Sequence, residues 1–284
     1  MKVHHINCGT MCPPFARLLH GRGSLFARGR MVCHCLVAET QSGLCLVDTG
    51  LGTADVESPR KRLGARFVRI TRPVCSMEET ALSHLKRLGL SPGDVRHITP
   101  THLDLDHVGG LSDFPDAAVH ILSAEQKAAL HPNSTNERQR YRKIQFAHGV
   151  KWTLHDPQGE RWLGFESVRP LAGTDDEILI VPLFGHTRGH AGIAVKTDAG
   201  WLLHAGDAYF AHDEIHATPP SCPPGLAFFQ WFMQVDGEAR LANQARLREL
   251  LREQGSSVRI ICAHDAAEMD SAPSPERGGS RLHQ

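Results

Sequence analysis

The chain has 284 residues, with 31 Lys and Arg balanced by 31 Asp and Glu, and it is long enough to bury a sizeable core without covalent staples. This balance leaves no long-range positive field to gather nucleic acid or an anionic membrane, so neither partner is expected. No apolar run reaches the roughly 18 to 20 residues that cross a bilayer.

The start, MKVHHINCGTMCPPF, has neither the basic nor the apolar segment of a secretory leader. The eight cysteines, Cys8, Cys12, Cys33, Cys35, Cys45, Cys75, Cys222 and Cys262, follow no repeated framework. Both features point to reduced thiols and a cytoplasmic location. Cys8/Cys12 and Cys33/Cys35 lack the C-x-x-C spacing of zinc modules, and Cys33 and Cys35 read as small core residues on one strand face. The 19 histidines against 2 tyrosines are unusual, and only their positions can say whether they ligate metal.

From residue 31 the stretch MVCHCLVAETQSGLCLVDTG reads as a hairpin around a Gln-Ser-Gly turn, ending in the loop Asp48-Thr49-Gly50. Residues 76 to 90, SMEETALSHLKRLGL, predict a helix with Ser76 and Glu79 as a capping box and Gly89 as its stop. VRHITPT is a short strand that delivers THLDLDHVGG onto a loop, and AAVHIL is the next strand. Ser123 to about Ala147 reads as one charged helix, its NERQRYRKIQF run a solvated face. EILIVPL is a strand ending at FGHTRGH, and AGIAVKTDAGWLLHAGDAYF is a second hairpin turning at Thr197 to Gly200. ATPPSCPPGLAFFQWFMQ is expected to dock its aromatics on the core, a helix spans roughly 237 to 254, and SVRIICAHD is the last strand. The ordered unit is read as one domain, 1–267, with a disordered tail over 268–284.

Ligand-type side chains recur at strand ends: His102, Asp104, Asp106 and His107 in one turn, His186 in GHTRGH, Asp207 in HAGDA and His264 in CAHD. Singly, each is an ordinary loop residue. Together they form an ordered constellation, and with the early LVDTG it resembles the metallo-β-lactamase superfamily from about Val32 to His264. That resemblance implies a four-layer αββα sandwich of the α/β class, carrying two divalent metal ions, zinc first with manganese or iron as alternatives. It assigns His102, position 104 and His186 to one metal, Asp106, His107 and His264 to the other, and Asp207 to both. It also gives Asp48 and His190 supporting roles around the ligands, and Gly109 and Gly110 room for the chain to pass close behind them.

Position 104 departs from the pattern, with Asp where most hydrolases of the superfamily have His. Three aspartates and a bridging hydroxide would neutralise two dications and weaken the Lewis acidity of the first metal. The implied activity is hydrolysis of a small ester, lactone or thioester by that hydroxide, with Asp106 as proton carrier. The alternatives are a di-iron redox protein, or a phosphodiester or phosphotriester hydrolase on the same fold. Acyl-homoserine lactonases carry a tyrosine three residues after the bridging aspartate, where this chain has Phe210 beside Tyr209. The basic segment of hydroxyacylglutathione hydrolases has no counterpart beyond Arg246, Arg248 and Arg252, which suit an ordinary helix face. Residues 138 to 152 and Phe228, Phe229, Trp231 and Phe232 are candidate pocket walls, and Arg188 a candidate anion contact. The expected partner is a small-molecule substrate, and the expected assembly a monomer or homodimer.

Overall fold

Near-continuous apolar runs such as CLVA and ILIV belong to strands covered on both faces, and the twelve strands among the described residues stack as two sheets. The computed structural model describes residues 1–273 apart from 157, 172, 173, 175 and 176, with 167 and 168 described in backbone only. Most of the expected tail therefore lies outside the described residues. The strands are β1 (Lys2–Met11), β2 (Met31–Thr40), β3 (Gly43–Val47), β4 (Val95–Thr99), β5 (Ala118–Leu122), β6 (Lys151–His155), β7 (Glu160–Trp162), β8 (Phe165–Pro170), β9 (Ile178–Pro182), β10 (Ala191–Thr197), β11 (Gly200–His204) and β12 (Val258–Ile261). One sheet has the order β1-β2-β3-β4-β5-β6 and the other β12-β11-β10-β9-β8-β7.

Strand alternation divides the core into layers. Leu36, Ala38, Cys45 and Val47 of the first sheet meet Ile178, Ile180, Ile193 and Val195 of the second between the sheets. The opposite faces of β2 and β3, with Cys35, Val37, Leu44 and Leu46, pack beneath Ala81 and Leu85 of the Ala81–Arg87 helix. On the far side Leu179, Val181, Ala194 and Leu203 pack beneath Leu247 and Leu250 of the Gly237–Gln254 helix. The result is a four-layer αββα sandwich. No helix among the described residues is long and apolar enough to cross a membrane.

Parallel pairing of β3 with β4 and of β11 with β12 sends the chain out of the sandwich on shared edges. Backbone bonds stitch the two sheets there, from His34 N to Ala263 O at 2.9 Å and from Ala191 N to Thr101 O at 2.9 Å.

Several local expectations change. The predicted Ser76/Glu79 capping box does not form. Thr80 caps the Ala81–Arg87 helix through Ser83 N, while the Glu79 carboxylate is drawn away to Thr10 N at 2.7 Å and Thr10 Oγ1 at 2.8 Å. The single helix expected from Ser123 breaks into Ser123–Leu130, Thr135–Arg140 and a 3-10 turn at Lys143–Phe146; Pro132 and the Ser134 cap, which accepts Glu137 N, start a new helix. The Pro224–Met233 helix buries only Leu226 and Gln230, leaving Phe228 and Trp231 more than 60% exposed at 64% and 63%. Its aromatics are therefore not core anchors. Folded structure also continues past 267, because the Ala266–Asp270 helix buries Glu268.

Candidate metal centre

The turn THLDLDHVGG leaves the end of β4, and its shape is set by Asp48 at the end of β3. Asp48 sits at φ 57°, a left-handed conformation strained for a non-glycine residue. Its carboxylate accepts Thr101 N at 2.7 Å, Thr101 Oγ1 at 3.0 Å and His107 Nδ1 at 2.9 Å. Burial works against ionisation, but the His107 imidazole holds the Asp48 carboxyl below its usual range. Close passage of the chain needs glycine: a Cβ on Gly109 would strike the Asp55 carboxylate, and one on Gly110 would lie 3.0 Å from Thr49.

The second sheet supplies the remaining groups. His186 follows β9, Asp207 follows β11 and His264 follows β12. His102, His186 and Asp207 place donor atoms within 4.8 Å of one another, and so do His107, Asp207 and His264. Asp207 faces both sets, with Oδ2 3.4 Å from His186 Nε2 and Oδ1 3.4 Å from His107 Nε2 and 3.2 Å from His264 Nε2. Asp104 Oδ2 lies 3.4 Å from His102 Nε2 and 3.3 Å from His186 Nε2. Asp106 Oδ2 lies 3.5 Å from His264 Nε2. All seven residues named from the sequence therefore meet in one pocket.

The ring nitrogens pointing away from the pocket are mostly engaged. His107 Nδ1 donates to Asp48, His264 Nδ1 donates to Val32 O at 2.7 Å, and His102 Nδ1 lies 3.0 Å from Thr101 Oγ1, itself a donor to Asp48. This arrangement leaves Nε2 lone pairs facing inward. His102 Nε2, His107 Nε2 and Asp207 Oδ1 are buried without a hydrogen-bond partner. Buried polar atoms are rarely left so, and an N/O set of this kind fits two divalent cations. His190 is occupied otherwise. Its Nδ1 donates to Leu183 O at 2.9 Å and its Nε2 accepts Asp207 N at 2.9 Å, which holds the Asp207 loop in place.

Three residues outside the seven candidate ligands also reach this site. Arg140, expected on a solvated face, is buried, with Nε 3.1 Å from Asp104 Oδ1 and Nη1 donating to His186 O at 2.9 Å. Despite burial, the guanidinium and His102 hold the Asp104 carboxyl well below the usual carboxylate range. The charge count changes accordingly: Arg140 returns the positive charge that Asp104 removes, so the three aspartates alone do not set the charge that bound cations would meet. Glu125 is also buried, accepting Leu103 N at 3.0 Å, Gly189 N at 3.0 Å, Thr187 Oγ1 at 2.6 Å and Tyr141 OH at 3.1 Å. It ties the turn after β4 to the His186 loop. Cys33, read as a core thiol, brings its sulfur within 4.8 Å of donor atoms of Asp106 and His264. Only Arg140 lay in a stretch already marked as a pocket wall; a helical register placed early in the charged segment would have set it on the inner face.

Other candidates fall elsewhere. Arg188 pairs with Glu137 at 2.8 Å and donates to His131 O at 3.0 Å, so it is a structural ion pair. Arg246 lies over the Phe165 ring and Arg252 pairs with Glu249, both as helix-surface contacts. Phe210 stacks on the His264 ring, centroids 5.3 Å apart, and touches Phe229 edge-on at 5.4 Å. Tyr209 points away and donates to Glu268 at 2.8 Å.

Comparison with known proteins shows the family. Residues 28–251 match the metallo-beta-lactamase superfamily. A probable metallo-hydrolase of Mycobacterium tuberculosis is 41% identical over 265 residues, covering 93% of this chain and 80% of that protein. An N-acyl homoserine lactonase of Bacillus thuringiensis is 25% identical over 221 residues, 78% of this chain and 76% of the lactonase. A crystal structure of a B. thuringiensis lactonase variant with N-decanoyl-L-homoserine bound superposes with a TM-score of 0.71 at 22% identity, covering 96% of both chains. On this match, on the αββα sandwich and on the donors gathered at its edge, the chain belongs to the metallo-beta-lactamase superfamily and is a metal-dependent hydrolase.

Proposed function

We propose that this hydrolase opens a small lactone, or cleaves a comparable ester or thioester, at a pair of divalent cations, zinc first. His102, Asp104 and His186 would hold one ion, Asp106, His107 and His264 the other, and Asp207 both. The observation that carries this reading is the set of buried, unpaired donor atoms on either side of Asp207. Two such cations supply an activated water and a polarising charge for the scissile carbonyl.

The chain's own residues do the rest. Asp106 is the most accessible of the seven donors, its side chain 13% exposed, and is placed to carry a proton from nucleophile to leaving group. Phe210 and Phe229 give the pocket an apolar edge suited to an acyl chain rather than a charged one. With Tyr209 committed to Glu268, neither residue at 209 or 210 offers a phenol to the substrate. Polarising the carbonyl would then be left to the bound cations. The similarity to acyl-homoserine lactonases in sequence supports the lactone over other acyl compounds.

The test is metal content by elemental mass spectrometry on protein purified without added metal, beside a panel of lactone, aryl ester, thioester, phosphodiester and phosphotriester substrates. About two equivalents of zinc or manganese with chelator-sensitive lactone or ester turnover is expected. Turnover of phosphoesters alone, or two equivalents of iron with oxygen consumption and no hydrolysis, would overturn it.

A further inference from the structure

Behind the Asp207 and His264 loops, a second group of donors stands apart from the seven. His212 immediately precedes the short Asp213–His216 helix and His216 ends it, a spacing of four that sets both rings on one side. The rings lie parallel, 3.9 Å apart with an interplanar angle of 11°. Glu268, from the Ala266–Asp270 helix, faces them, with Oε1 3.5 Å from His212 Nδ1. One donor atom from each of the three lies within 4.8 Å of the others.

The carboxylate is held in advance. Glu268 is buried, its Oε1 accepts Tyr209 OH at 2.8 Å, and its Oε2 accepts Cys262 N at 2.6 Å. The backbone of His212 is anchored in turn, its N–H donating to Asp265 at 2.6 Å. The His212 side chain is 49% exposed, so an ion can enter from solvent without opening the fold. Two imidazoles and a fixed carboxylate, with outer hydrogen bonds orienting the oxygen ligand and a fourth position left to water, suit zinc and its later transition-metal neighbours better than calcium or magnesium.

We propose that His212, His216 and Glu268 form a third divalent-cation site, distinct from the pair at Asp207. Its placement gives it a consequence. Glu268 holds Tyr209, two residues beyond Asp207, and Cys262, two residues before His264. A cation bound there stiffens the anchor shared by the two loops that carry those ligands, and it stabilises the folded state by mass action.

The experiment is a calorimetric titration with Zn²⁺ of protein already carrying its tightly held metal. Wild type is expected to take up one further equivalent, lost in His216→Ala and in His212→Ala/His216→Ala, with the tight complement unchanged by elemental analysis. No further equivalent in wild type, or an unchanged one in the double variant, overturns the proposal. A protein without a tight pair would count against the catalytic reading, while the difference between wild type and variant still reports on this site. Should the variants misfold, carbethoxylation of wild type mapped by peptide mass spectrometry decides: added Zn²⁺ protects His212 and His216, and unaltered labelling of both sinks the idea.

Discussion

The Arg140 guanidinium lies 3.1 Å from the Asp104 carboxylate, and both are buried. A cation placed there makes Asp104 and Arg140 a single unit, since either alone would be an uncompensated charge in a low-dielectric pocket. That coupling is testable by double substitution. Asp104→His removes the partner of a buried arginine and should destabilise the fold by about 3 kcal/mol. Adding Arg140→Met should recover most of that loss, because the charge leaves with its partner. Urea denaturation of both singles and the double decides; additive losses would show that the two side chains do not act together.

His102→Ala and Asp207→Ala each remove donors from the pocket, and Asp207 faces both sets. Each variant should lose bound metal and at least about a hundredfold of turnover, given that even outer partners of metal ligands are worth 10 to 100-fold. Elemental analysis of purified variants with intact circular dichroism is the check. Full metal content and full activity in both would place the centre elsewhere.

Glu125→Ala would strand Leu103 N, Gly189 N, Thr187 Oγ1 and Tyr141 OH, whose bonds it accepts inside the protein. Buried donors left unpaired cost about 1 to 3 kcal/mol each, so with four of them a total loss of at least about 4 kcal/mol is expected. Metal affinity should fall as well, because the His102 and His186 loops lose their common tie. A melting temperature within a degree of wild type would refute this role.

The histidines of the first sheet are expected to make the fold acid-sensitive. His120 lies between His97 at 3.0 Å and His155 at 3.1 Å, and burial with those two neighbours pushes it down to about 3. The unfolded chain protonates this group near pH 6.5. Below that value the unfolded state binds more protons than the folded one, so stability is full above about pH 6.5 and is lost progressively as pH falls toward 3. At pH 4 the loss from His120 alone is on the order of 3 kcal/mol. His120→Gln should therefore show a shallower fall in stability between pH 7 and pH 4 than wild type. Parallel denaturation curves across that range would count against it.

Strand-end motifs, hairpin turns and the Gly237–Gln254 helix were legible in the sequence because each is a local pattern. Apolar period, turn residues and ligand spacing lie within a few positions of one another. Strands β1 and β6 were not legible because each is defined by a partner well removed along the chain, β2 and β5. A comparable separation lies between Asp104 and Arg140 and between Glu268 and Tyr209.

What the sequence by itself determined was the sandwich and which seven side chains gather at its edge as candidate ligands, since ordered motifs at strand ends carry both. What only the tertiary structure decided was the charge around those donors. Arg140, Glu125 and Cys33 reach the centre through packing of separate elements, and a charged or thiol side chain looks the same in a sequence whether it meets water or a buried carboxylate.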